Sequence, residues 1–96
     1  MLAYRRKAAV QVTWVRYEDS DNWVVYSPAA ADVHLLTDSA HRLWELLPEY
    51  QSIPTTDLAS RLASLLSRQP DEVLAESVEQ TLAFFDSIGI AEPVIS

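Results

Sequence analysis

An α+β domain, in which a three-stranded antiparallel meander is followed by three helices, is the fold predicted by this sequence. Three observations predict it. Apolar and polar residues alternate over Ala9 to Tyr17 and again over Ala31 to Leu36, with a run of turn formers between them. At Thr37 the apolar period switches from two to the helical one and does not switch back. Beyond that point, prolines and the only glycine stand where helices begin and end.

The first eight residues read as a loosely held tail carrying the only clustered positive charge, Arg5, Arg6 and Lys7. From Ala9 to Tyr17 the run AVQVTWVRY is β-branched and aromatic, with Val10, Val12 and Trp14 set against Gln11, Thr13 and Val15, which predicts the first strand. Glu18 to Asn22 is a run of turn formers, so Trp23 to Ser27 returns as the second arm of a hairpin. Pro28 breaks the ladder, and Ala29 and Ala30 lead into a third strand over Ala31 to Leu36. In that strand Val33 and Leu35 fall on one side and Asp32 and His34 on the other, the alternation of a strand with one buried face.

The first helix begins at Thr37 or Asp38, either of which can accept from the free N–H groups of its first turn. Ala40, Leu43, Trp44 and Leu47 form its apolar stripe, and Pro48 ends it. Thr55 or Thr56 begins the second helix, with Leu58, Leu62, Leu65 and Leu66 on its apolar side and Arg68 at its end. The third has Pro70 just inside its start, Asp71 and Glu72 in its first turn and Gly89 just past its end. Its apolar face is broad, because Val73 and Phe84 widen the stripe of Leu74, Val78, Leu82, Phe85 and Ile88. Residues 93–96 read as a second tail, leaving one domain over 9–92 in an order close to that of a winged helix-turn-helix.

Composition narrows the function. Ninety-six residues make one domain with a modest core. Fourteen acids against seven bases give a net charge of -7, which repels nucleic acid and anionic lipid surfaces. No cysteine is present, so thiolate chemistry and disulfides are excluded. Neither an export signal nor an apolar run of membrane-spanning length is visible, and the expected location is the cytoplasm.

No pattern of catalytic or metal-ligating residues stands out. His34 and His41 are the only histidines and lack companions at ligand spacing, so neither metal nor cofactor is expected. Asp38, Ser39 and His41 cannot form a hydrolytic triad, because positions two apart on a helix do not face each other. His41 reads as a residue of the polar helix face, and Trp14, Trp23 and Trp44 as core or half-core. An enzyme is therefore not expected, which leaves a binding module as the first reading and a winged-helix transcription regulator or another protein–protein adaptor as the alternative. Charge separates them, since Gln69 to Ile88 holds no Lys or Arg but carries Asp71, Glu72, Glu76, Glu79 and Asp86.

The runs WVVYSPAAADVHLLTDSAHRLWELL, TDLASRLASLL and VEQTLAFFDSIGIAEP together resemble the PqqD family of small peptide chaperones, the recognition elements of ribosomal natural-product biosynthesis. The likeness rests on Leu35 and Leu36, the capping Thr37, Trp44 with Leu46 and Leu47, Leu58 to Ala63, and Leu82 to Gly89, and it covers roughly Trp14 to Pro93. The triplet His34, Leu35, Leu36 after VVYSP is most similar to the branch found beside kinase-like proteins related to HPr kinase, although Thr37 replaces an asparagine often found at that cap. The resemblance implies a chaperone that holds the leader of a precursor peptide as an added strand, between the third strand and the last helix, and presents it to a modifying enzyme. Carried over residue by residue, its peptide-binding positions are Asp32, Val33, His34 and Leu35 on the strand and Leu74, Ser77, Val78, Thr81 and Phe85 on the helix. A homodimer is also compatible with the pattern.

Overall fold

The computed structural model describes residues 2–7, 10–18, 21–27 and 32–95. Along them run β1 (Leu2–Arg6), β2 (Thr13–Arg16), β3 (Asn22–Ser27), β4 (Asp32–Thr37), α1 (Asp38–Leu46), β5 (Ile53–Pro54), α2 (Thr55–Leu65), α3 (Glu72–Ser87) and β6 (Ala91–Ile95). β2, β3 and β4 form an antiparallel meander in that order, and β5, β1 and β6 form a second antiparallel sheet with β1 at its centre. The architecture is therefore α+β, with three helices and two small three-stranded sheets.

The meander is a product of local sequence. Register sets Trp14 opposite Val25 and Val25 opposite His34, and beside them Arg16 opposite Trp23 and Trp23 opposite Leu36. Side chains of one face must alternate along each strand, so these two cross-strand rows share the inner face. Val25 is buried there, with Trp14 and Leu36 packed against the core. The turn expected over 18–22 keeps Glu18 at a left-handed φ of 50°, and the connection expected over 28–30 lies outside the described residues, as do Ala9 and Ala31.

Each helix is delimited as its sequence dictates. Thr37 caps α1, its hydroxyl accepting from the Ala40 N–H at 3.2 Å, and Leu47 turns extended ahead of Pro48. α2 starts at Thr55 behind Pro54, without a side-chain cap. Asp71 caps α3 by accepting from the Leu74 N–H at 2.8 Å, so Pro70 lies one residue before the cap rather than inside the helix. Leu43, Leu58, Leu62, Leu74, Val78, Leu82 and Phe85 project from the three helices into one core, where Phe85 meets Trp14 and Trp44 at centroid distances of 6.1 and 5.8 Å.

The second sheet corrects the expected N-terminal tail. Leu2–Arg6 is the central strand β1, with Ala3 3% and Tyr4 6% exposed, and residues 93–95 belong to its partner β6. Arg5 stands opposite Glu92 and pairs with it at 2.7 Å, while an Arg6 Nη donates to the Trp44 carbonyl at 3.1 Å near the end of α1. Pro54 and Pro93 fall in the two edge strands, where a missing N–H is tolerated. Local periodicity could not reveal this sheet, since β1 and β6 lie far apart along the chain, with the two-residue β5 between them, and only their pairing makes them strands.

Candidate functional site

Three elements converge on the sequence-predicted site. Among the described residues β4 pairs with β3 alone and is an edge strand, and Thr37 at its end opens directly into α1. Asp38 locks that junction. Its carboxylate accepts from Trp23 Nε1–H and from Arg42 Nε–H, each at 2.9 Å, with Arg16 at 4.0 Å, so β2, β3 and α1 are tied together behind the edge. The Trp23 hydrogen bond, and after it the Arg42 hydrogen bond, hold the Asp38 carboxyl below its ordinary pKa.

Beside the end of β4 lies a cleft of about 180 Å³ between α1, the C-terminal end of α2, and α3. Leu74, Ser77, Val78 and Thr81 all line it, which brings four of the five helix residues into one place. Leu74 and Val78 are buried and form its floor, whereas Ser77 is exposed and Thr81, half-buried, donates its hydroxyl to the Ser77 carbonyl at 2.8 Å. Phe85 is not part of it. Its ring is fully buried between Trp14 and Trp44, a turn and more beyond the cleft, because the same stripe that faces the groove at Leu74 faces the core at Phe85.

β4 presents its faces the opposite way from the apolar alternation. Val33 and Leu35 are 63% and 58% exposed on the outer face of the meander, while His34 and Leu36 turn inward. The His34 ring meets Phe84 of α3 edge-on at 5.2 Å, and its Nε2 is buried without a hydrogen-bond partner among the described residues. The side chains of Val33 and Leu35 are thus not brought together with the helix residues; of β4, Thr37 alone lines the cleft. Asp32 stands opposite Ser27 in the ladder, and its side chain lies outside the described residues.

Cleft residues that sequence reasoning missed are Thr37, Ser39, Ala40, Leu43, Leu62, Leu66, Arg68 and Val73. Val73, 72% exposed, carried a signal in the breadth of the α3 stripe, and Leu66 one in the leucine pair ending α2. His41 also departs from its expected place. It stacks on Trp23 at 3.7 Å and 11°, and so packs between helix and sheet rather than lying on an open polar face. Among the described residues no group of three or more His, Asp or Glu is placed to hold a metal ion, and no helix is long and apolar enough to cross a membrane.

No family model matches the chain, and neither a curated protein nor a solved structure shows significant similarity to it.

Proposed function

We propose that this chain is a non-catalytic peptide chaperone of the PqqD-like, winged helix-turn-helix type, which holds the leader of a ribosomally made precursor peptide and presents it to a modifying enzyme. The observation that carries the reading is the edge strand β4, whose last residue, Thr37, lines the same cleft as Leu74, Ser77, Val78 and Thr81. An edge strand offers its outward N–H and C=O groups to an extended peptide, and an apolar cleft beside it takes a side chain of that added strand, which is how strand addition gains both affinity and selectivity. The site in this reading consists of the β4 backbone from Asp32 to Leu35, the inward ring of His34, and the cleft with Thr37, Leu66 and Val73 added; Phe85 is left out of it. The regulator alternative has no observation in its favour, because α3 has no basic residue with which to meet phosphates.

The test selects binders from a displayed library of linear peptides and measures one by calorimetry against Val33→Pro and His34→Pro. Neighbouring strand residues aim their backbone groups to opposite sides, so one proline faces β3 and the other faces the peptide. The expected outcome is one variant that melts early and one that stays folded but loses the peptide. Failure to select any linear peptide, or two folded variants binding as tightly as the parent, refutes strand addition to β4.

A further inference from the structure

We propose that a cavity of about 270 Å³ between the end of β1 and the end of α1 binds a small organic acid, one carboxylate carried on an aromatic body. The cavity shares no lining residue with the cleft beside β4, so the proposal is independent of strand addition there. Charge gives the first half of the ligand. Two of the seven bases of the chain, Arg6 and Lys7, line the cavity against a single acid, Glu49, which leaves one positive charge in a chain of net charge -7. Neither base is neutralised at contact. Glu49 stands 3.6 Å from an Arg6 Nη, beyond the ~2.7–2.9 Å of a charge-assisted hydrogen bond, and Arg6 Nε is buried without a partner among the described residues. Lys7 is exposed and has no ion pair among them.

The Arg6 head is nonetheless fixed. One Nη donates to the carbonyls of Trp44 and Glu45 at 3.1 and 3.4 Å, and the guanidinium carbon lies 4.8 Å from the centre of the Trp44 ring. A cation already held in place loses little conformational freedom on receiving an anion. Capping the end of α1 accounts for this geometry of Arg6, but it gives no role to Lys7. The walls supply the second half of the ligand. Val10, Val12 and Trp44 are apolar, and Tyr50, 88% exposed, is an aromatic residue that borders the cavity while adding nothing to the core. Such walls around a few convergent polar groups are the lining of a small-molecule site, here slightly smaller than the ~300–1,000 Å³ of drug-sized ones. Glu49 limits the charge: a dianion such as phosphate meets its carboxylate, whereas a monocarboxylate matches the single net positive charge.

Two probes of this chemistry are titrated into the full chain at neutral pH and followed by nuclear magnetic resonance: phenylpropionate, a free acid, and N-acetylphenylalanine, which has the chemistry of a peptide C-terminus. Their neutral amides and inorganic phosphate are the controls. At least one acid is expected to shift the signals of Lys7, Tyr50 and the Trp44 indole with a Kd on the order of 1 mM, the strength that ligands of this size reach, and the tighter of the two identifies the source. The amides and phosphate are expected to bind at least about tenfold more weakly. Lys7→Gln and Tyr50→Ala, both at exposed positions, are each expected to weaken the acid by about threefold or more, while Arg61→Gln, the same loss of charge on α2 outside the cavity, leaves binding unchanged. Arg6→Gln is expected to abolish binding; since Arg6 also caps α1, the two exposed variants decide the matter if that one melts early. Acids that shift none of these signals up to ~20 mM, amides or phosphate that bind as tightly as the acids, or folded Lys7 and Tyr50 variants that bind like the parent overturn the proposal.

Discussion

Trp44 closes the angle between α1 and the meander, buried beneath the Arg6 guanidinium, whose carbon lies 4.8 Å from the ring centroid, and against Phe85. Trp44→Ala is expected to cost about 3–5 kcal/mol, a large share of the stability of a domain this size, read as a fall in the denaturant midpoint. An unmoved midpoint would place the ring outside the core. Asp38 contributes to the pH dependence. Its folded pKa lies below the unfolded value, so its contribution is present above about pH 4 and is lost as pH falls through the folded pKa. Asp38→Asn should therefore flatten the acid side of the stability curve measured by urea titration, with Trp23 and Arg42 left to a neutral partner. Trp44 and Thr37 were legible in the sequence because each sits on a periodic stripe or at the break between two periods. His41 was not, since stacking on Trp23 depends on how a helix lies across a sheet.

Two helices end in the same way with different residues. After α2, Ser67 takes φ 54° and the N–H groups of Ser67 and Arg68 donate to the carbonyls of Ser64 and Ala63; after α3, Gly89 takes φ 79° and the N–H groups of Gly89 and Ile90 donate to those of Asp86 and Phe85. Both are left-handed caps, in which glycine has no Cβ to strain. Ser67→Gly should therefore stabilise by about 1 kcal/mol, and Gly89→Ala should destabilise by about the same amount. The space around Gly89 is open, so backbone conformation alone sets its cost. Thermal melting of the two variants checks the pair, and shifts of the same sign would refute it. The Gly89 cap was visible in the sequence as a lone glycine after a long stripe; the Ser67 cap was not, because nothing local distinguishes a serine that must adopt positive φ.

The whole molecule depends on a strand that looks dispensable. Removing residues 1–6 takes Ala3 and Tyr4 from the core and leaves β5 and β6 without the strand between them. The shortened chain is expected to lose most of its cooperative melting transition, seen by circular dichroism; a transition as sharp and as high as the parent's would return β1 to the status of a tail. The local signals determined the meander and the three helices with nearly all of their ends, because alternation, helical period and capping act over a few residues; Leu74, Ser77, Val78 and Thr81, which line the cleft, were named from the resemblance and not from those signals. Tertiary structure decided three things. It paired β1 with β6 across almost the full length of the chain, and it drew Phe85 into the core. It also turned His34 and Leu36 inward and Val33 and Leu35 outward. That last choice was beyond local sequence, since Leu35 and Leu36 make both faces of β4 apolar; the register against Val25 and Trp23 settles it, as a slip of one residue would reverse every side chain.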